Sequence, residues 1–185
     1  MVINMKKLLL LAASLLITVG LCACGGGGGL FAKPTPTPIP VLDPTTILSV
    51  DNVYEGIGYE YVPVLDGEIV TENNSRSAVY VSNPKGLGDS VKIEVTQYNE
   101  GITIDQVYQE FATAKAKRLD ITEVTELGET AYIAYPTIHV YDRGCIIEVT
   151  AGSGSDEKQQ NLLITLAKVA VANFEQIMPA PAVQQ

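Results

Sequence analysis

The sequence predicts an α+β fold in which an antiparallel sheet is packed by two main helices. Apolar residues recur with helical period at 104–118 and again after Ser155, and they alternate with polar residues between Val91 and Thr96. In addition, Asp142-Arg143-Gly144 separates two strand-like runs, as a tight reversal does. Strands joined by tight reversals pair antiparallel, which leaves the helices to cover the sheet.

The chain begins with the pattern of an export signal. Lys6 and Lys7 supply positive charge, and an apolar run follows from Leu8 to Leu21, broken only by a serine, a threonine and a glycine. The run is too short to span a bilayer comfortably, because roughly 20 apolar residues are needed for that. We therefore interpret it as a signal peptide rather than a membrane span.

The signal ends in Leu21-Cys22-Ala23-Cys24, which resembles the lipobox of bacterial lipoproteins. In that family an aliphatic residue and a small residue precede the cysteine that receives the lipid. The resemblance implies lipidation of Cys24 and a lipid-anchored protein on the extracytoplasmic face of the cell membrane. Lipidation of Cys22 fits less well, because Leu21 would then stand where a small residue is wanted. An ordinary secretory signal cut near Ala23 is a further alternative.

A tether is predicted between the lipid and the folded domain. Five glycines from Gly25 to Gly29 are flexible, and the alternating prolines from Pro34 to Pro40 favour extended polyproline II. The expected organisation is a lipoprotein signal peptide at 1–23, a Gly/Pro-rich tether at 24–43 and a single α+β extracytoplasmic domain at 44–185.

Alternation of apolar and polar residues locates the strands. Val91, Ile93 and Val95 alternate with polar residues, as in a half-buried strand. Further strands are predicted at 59–64, 78–81, 131–135, 137–141 and 145–150. Pro63 and Pro136 suggest an edge strand or a break, since proline cannot donate to the ladder.

The first main helix is predicted at 104–118. Thr103 and Gln106 form a capping box, in which each side chain satisfies a free backbone donor of the other residue. The residues expected on its buried side are Val107, Tyr108, Phe111, Ala112 and Ala114, whereas those expected toward water are Glu110, Lys117 and Arg118.

The second main helix is predicted to begin after Ser155 and to end before Pro179. Asp156 and Glu157 lie in its first turn, where the helix dipole favours negative charge. Additional apolar residues beside the main stripe indicate that this helix lies across the sheet and is covered on a second side. The expected buried stripe consists of Leu162, Leu163, Leu166, Val169, Ala170, Phe174 and Ile177.

The register of the last hairpin decides the surroundings of His139, the single histidine. Pairing Val140 with Ile147 keeps the apolar residues on one face and sets His139 opposite Glu148 on the face away from the core. The competing register, closed by a three-residue loop, would mix polar and apolar residues on both faces. In the preferred register we expect a solvated pair, with a pH-sensitive or binding face as the alternative.

Charge restricts the partners. Without Lys6 and Lys7 the mature chain has 12 − 2 = 10 basic residues against 21 acidic ones, a net charge of −11. Such a surface repels nucleic-acid phosphates, so nucleic acid is not an expected partner. Contact with the membrane is therefore assigned to the lipid on Cys24.

The motifs of common enzymes were not found. Cys145 would be the single thiol of the mature chain, and its strand-like context favours a buried, inert side chain. Asp51-Asn52 with Glu55, and Glu72-Asn73-Asn74, offer oxygen atoms for calcium but lack EF-hand spacing, so we interpret them as solvated loops. Gly152-Ser153-Gly154-Ser155 suggests an anion cradle, but the acids that follow favour helix capping. We expect no catalytic residue, no metal and no cofactor.

A short echo links two parts of the domain. Leu87-Gly88-Asp89-Ser90 and Leu127-Gly128-Glu129-Thr130 both precede a strand, which indicates either recurrent turn chemistry or a duplication. The second copy, the hairpin with Gly144 and the closing Leu166-Ala167-Lys168 helix resemble the carboxyl half of small actinobacterial and clostridial lipoproteins with a PsbP-like α/β/α sandwich. That resemblance implies an accessory or binding module and assigns no catalytic residue.

The sequence therefore favours a lipid-anchored extracytoplasmic module with a non-catalytic binding or accessory role in the cell envelope. An envelope protein or a cell-wall component is the expected partner besides the membrane. The alternatives are a carrier or sensor for a small or lipophilic ligand held between sheet and helices, and an enzyme of the envelope.

Overall fold

The structure, a computed structural model, describes residues 39–58, 60–63, 70–72, 74–82 and 90–178. The predicted signal peptide, Cys24, most of the tether and residues 87–89 of the first copy of the echo lie outside these residues. The helices of the described part are α1 Pro44–Ile47, α2 Val50–Ile57, α3 Ile104–Ala116 and α4 Glu157–Ile177. Its strands are β1 Tyr61–Pro63, β2 Val70–Glu72, β3 Ser75–Ser82, β4 Val91–Gln97, β5 Thr122–Val124, β6 Thr130–Ala134, β7 Thr137–Asp142 and β8 Cys145–Ala151.

All strands of the described part join one antiparallel sheet, in the order β1-β3-β4-β8-β7-β6-β5, and β2 also pairs with β3. The α+β class and the antiparallel sheet packed by helices are therefore confirmed. Pairing of β4 with β8, in which Val95 lies opposite Ile147, joins the early strands to the late ones. Pro63 ends the edge strand β1, and Pro136 lies in the turn between β6 and β7, so both prolines occur where the sequence predicted an edge or a break.

Helices cover both faces of the sheet. The main core lies between one face and α4, and the short helices α1 and α2 contribute Ile47, Leu48 and Val53 to it. On the opposite face, α3 buries Val107 and Phe111 in a smaller cluster. Its remaining members are Tyr132, Ala134, Tyr141 and Ile146. Strands β6, β7 and β8 are consequently buried on both sides.

The second side of α4 is covered as predicted, since α1 and α2 pack along it. Ala167, Ala170 and Val171 are buried, and the amide of Asn173 donates to the Ile47 carbonyl at 3.1 Å. The expectation that Ile177 is buried was wrong, because its side chain is 37% exposed. The chain leaves the helix after Ile177, and the next residue, Met178, turns into the core instead.

The capping box of α3 is present as predicted, but the helix ends at Ala116, two residues earlier than expected. Tyr108 and Ala114 were expected on the buried side and are exposed. The contact with the sheet is narrow, because only Val107 and Phe111, one helical turn apart, are fully buried in it.

The end of the predicted tether packs on the domain. Leu42 is buried, and its backbone N–H donates to Gln97 Oε1 at 2.9 Å. The Gln97 amide in turn donates to the Pro40 carbonyl at 3.1 Å, and Ile39 packs against the main core. Residues 39–42, which the sequence assigns to the tether, therefore pack on the domain.

The predicted hairpin register is confirmed. Val140 lies opposite Ile147 and His139 lies opposite Glu148. The turn consists of Arg143 and Gly144, with φ of 48° and 80°. A two-residue hairpin turn requires this left-handed conformation at both positions, and Gly144 adopts it without steric cost.

Candidate functional site

A row of polar side chains crosses the sheet on the α3 face. Glu123, Tyr132, His139, Glu148 and Glu94 are successive cross-strand partners on β5, β6, β7, β8 and β4. Because side chains alternate along each strand, these partners share one face. The single histidine therefore lies in the middle of an ionisable row.

His139 is enclosed rather than solvated. Its side chain is 7% exposed and its Nδ1 forms a hydrogen bond with Glu148 Oε1, while the Glu148 side chain keeps 33% exposure. The Tyr132 ring stacks on the imidazole with the centroids 4.6 Å apart and the planes at 13°. Phe111 of α3 packs against Tyr132 at 5.3 Å between ring centroids. The expected solvated pair was thus wrong, because α3 covers this part of the face.

Two atoms of this cluster lack a hydrogen-bond partner among the described residues. They are the hydroxyl of Tyr132 and Nε2 of His139, and both are buried. The hydrogen bond to Glu148 orients the imidazole through Nδ1 and leaves Nε2 buried without a partner among the described residues. The adjacent hydroxyl is a poor proton donor to it, because burial raises the pKa of Tyr132.

The surroundings favour the carboxylate form of Glu148. Burial raises the pKa of Glu148, but the hydrogen bond and charge of His139, together with Lys92 and Arg118, outweigh it and leave the pKa below its usual value. Lys92 also forms an ion pair with Glu94 at 2.6 Å. Lys92 of β4 and Arg118, which follows α3, thus both lower the pKa of Glu148 in this row.

Cys145 lies on the other face of β8, within the main core, and is fully buried. Burial raises the pKa of its thiol to about 12, and the charge of Asp142 acts in the same direction. The sheet separates Cys145 from His139, so the two do not form a nucleophile and base pair. The expectation of a buried, inert thiol agrees with this position.

A second buried carboxylate lies at the end of β7 on the α4 face. Asp142 is buried with Oδ2 unpartnered among the described residues, and Arg143 Nε approaches that atom only to 3.7 Å. Burial raises the pKa of Asp142 despite that guanidinium. Arg143 instead donates to the carbonyls of Glu175 and Met178 at 2.8 and 2.6 Å, and so caps the end of α4.

An open cleft of about 470 Å³ lies between α2, the first turns of α4 and the neighbouring strand ends. Ile57, Tyr61, Val91 and Leu162 give it an apolar lining, while α4 adds polar side chains at the rim, Lys158 among them. Sequence reasoning missed this cleft, since its walls come from segments far apart in the chain. The i, i+3, i+4 spacing of Lys158, Asn161 and Leu162 indicates that these side chains lie on one face of the helix. It does not indicate which residues pack opposite that face.

Two of the three groups that offer ligand atoms in the sequence lie in or directly before a helix; in the third, Glu72 ends β2 and Asn73 lies outside the described residues. Asp156 caps α4 by accepting from the Gln159 N–H at 2.8 Å, in agreement with the capping interpretation. Asp51, Asn52 and Glu55 lie in α2, not in a loop, and Asn52 forms a capping box with Ser49. Groups of three or more side chains suited to a metal ion were not found among the described residues.

The predicted lipidation site, Cys24, lies outside the described residues. Within them, no helix has the length and apolar character required to cross a bilayer. Comparisons of the chain with protein-family models, curated proteins and solved structures found no match.

Proposed function

We propose that the protein is a lipid-anchored extracytoplasmic module of the cell envelope with a non-catalytic binding or accessory role. Its anchor is the lipid on Cys24, after removal of residues 1–23. The lipobox-like Leu21-Cys22-Ala23-Cys24 and the glycine and proline residues after it support the anchor. From Cys24 to Pro38 the chain has 15 residues, which span at most about 50 Å when extended. Such a length lets the module act near the membrane surface.

The observation that carries a binding role is the contrast between enclosed ionisable groups and an open cleft. His139 lies beneath α3, and Cys145 lies inside the main core. Both are therefore shielded from a substrate in solution, whereas the 470 Å³ cleft is open and largely apolar at its base. An open, mostly apolar concavity is typical of a site that binds a ligand.

Fatty-acid labelling tests the anchor. Cys24→Ser should abolish incorporation of a fatty-acid analogue and prevent cleavage of the signal. The matched Cys22→Ser variant should still be labelled and cleaved. The uncleaved apolar segment can itself hold the Cys24→Ser protein in the membrane, so the readouts are the label and the mass of the product rather than membrane fractionation. Labelling that persists in Cys24→Ser would refute the anchor assignment.

A second candidate function is a carrier or sensor for a small or lipophilic ligand, which the cleft favours. Its volume lies within the roughly 300–1,000 Å³ that is usual for small-molecule sites. Native mass spectrometry of protein released gently from envelopes should show a bound small molecule. Exclusive recovery of ligand-free protein that also fails to bind envelope extracts would argue against a carrier.

A further inference from the structure

We propose that the cleft between α2 and α4 binds a small zwitterion with an apolar body, of the size of a free amino acid or a dipeptide. The inference deepens the carrier function and rests on it. Two features of the cleft lead to this chemistry: an apolar base, and charges of opposite sign at one rim.

The apolar base accounts for the body of the ligand. Val91 is 1% exposed and Tyr61 is 8% exposed, so the bottom of the cleft belongs to the main core. Half-buried Ile57 and Leu162 form facing walls from α2 and α4. A ligand that covers these side chains removes apolar surface from water, which favours binding in proportion to the area covered.

The rim supplies one cation and one anion. Lys158 is exposed and forms no ion pair with any described residue, so its ammonium is available to a ligand carboxylate. Asp156 uses one carboxylate oxygen, Oδ1, to cap the Gln159 N–H at 2.8 Å. Its other oxygen remains for a ligand ammonium.

The two charges at the rim do not neutralise each other. No ion pair joins Asp156 to Lys158, although both residues line the cleft. Both side chains are exposed, so the group that a singly charged ligand leaves unpaired stays hydrated. A zwitterion forms one further ion pair, and the rim favours it by the modest contribution of that pair.

Calorimetry on the full lipidated protein in phosphatidylcholine nanodiscs tests the proposal with three ligands of equal apolar body and one dipeptide with a larger one. L-leucine and the dipeptide Leu-Leu carry both charges, leucinamide lacks the carboxylate, and 4-methylpentanoate lacks the ammonium. We expect L-leucine to bind about two- to fivefold more tightly than either singly charged ligand, because an ion pair with an exposed side chain contributes only modestly. The better of the two zwitterions identifies the ligand size.

Variants assign the charges to their partners. Lys158→Gln should weaken zwitterion binding about two- to fivefold and leave leucinamide unaffected. Asp156→Ser keeps a capping oxygen, and it should weaken the zwitterion while leaving 4-methylpentanoate unaffected. Lys168→Gln, an exposed position on α4 that does not line the cleft, is the matched control and should change nothing. Circular dichroism verifies that each variant is folded.

Two results overturn the proposal. Equal binding of 4-methylpentanoate and leucine would show that the rim does not select a zwitterion, while a carrier function would stand for another ligand class. Absence of binding by all four ligands at millimolar concentration would remove the cleft as the site. Neither result touches the anchor, which the labelling of Cys24→Ser tests separately.

Discussion

The two faces of the sheet differ in how much apolar surface supports them. Of the described residues, 26 buried ones form the core on the α4 face, against six in the cluster under α3. A 21-residue helix, two short helices and the packed residues 39–42 cover the first face. A single 13-residue helix covers part of the second. The difference indicates that the α4 face holds the fold, while α3 is attached to a sheet that is already stable.

The same difference shows in the polar groups that each face encloses. The α3 face accommodates the His139–Glu148 pair, which is bonded within the face. The α4 face encloses the Asp142 carboxylate with one oxygen unpartnered among the described residues. Burial opposes the charged form of both carboxylates. The hydrogen bond and charge of His139 outweigh it at Glu148, whereas Arg143 does not outweigh it at Asp142, so the pKa shifts of the two have opposite directions.

The largest effect is expected for truncation of an aromatic ring in the main core. Phe174→Ala should lower the free energy of unfolding by about 3–5 kcal/mol, since the ring is fully buried between α4 and the sheet. Urea denaturation measures this loss. A loss below 1 kcal/mol would contradict the assignment of the α4 face as the main core.

The matched substitution under α3 should cost less. Phe111→Ala removes the same ring from the smaller cluster, and we expect a loss of about 1–3 kcal/mol, because α3 can separate locally without unfolding the sheet. Hydrogen exchange should show lost protection in α3 while β4 and β8 remain protected. Equal losses for Phe111→Ala and Phe174→Ala, with loss of protection throughout the sheet, would show that the two faces unfold together.

Asp142→Asn should stabilise the protein at neutral pH by up to about 1 kcal/mol, because it removes an incompletely paired buried charge. The folded pKa lies above the unfolded value of about 3.9, so ionisation of wild-type Asp142 destabilises the fold as the pH rises. The advantage of the variant should therefore shrink as the pH falls toward 4. Urea midpoints at pH 7 and pH 4 measure it, with exposed Asp120→Asn as the control. If Asp142→Asn were less stable than the wild type at pH 7, the attraction between Asp142 and Arg143 would outweigh the cost of burying the carboxylate charge.

Glu148→Gln should have the smallest effect and the opposite dependence on pH. The folded pKa lies below the unfolded value of about 4.3, so the stability contributed by the Glu148 carboxylate is present above that value and is lost as the pH falls through the folded pKa. With a third of the side chain exposed, we expect a loss below about 1 kcal/mol at pH 7. Acid titrations of stability for wild type and variant should converge at low pH. A constant difference at every pH would exclude an electrostatic origin.

Local patterns predicted the elements whose residues alternate or recur clearly. The register that sets His139 opposite Glu148 followed from the alternation in β7 and β8, and α3 from its capping box. The enclosure of His139 could not be predicted in this way. It depends on the contact of Phe111 with Tyr132. These two residues lie in different elements, and the local pattern of neither element indicates that they meet.

Short elements escaped prediction for a related reason. β2 and β5 have three residues each, too few for alternation to be counted, and they exist because β3 and β6 offer edges to pair with. α2 did carry a signal, the Ser49 and Asn52 capping box, but its eight residues bury only Val53. The cleft likewise depends on α2, so missing that helix meant missing the site.

The attachment of residues 39–42 has a mechanical consequence. Gln97, at the end of the central strand β4, holds both the Leu42 N–H and the Pro40 carbonyl, and Arg76 of β3 donates to the Leu42 carbonyl at 3.3 Å. Under the proposed anchor on Cys24, a pull on the chain at residue 39 would load these side-chain hydrogen bonds before the backbone ladder of β4. Their rupture would release residues 39–42 while the strands of the sheet remained paired.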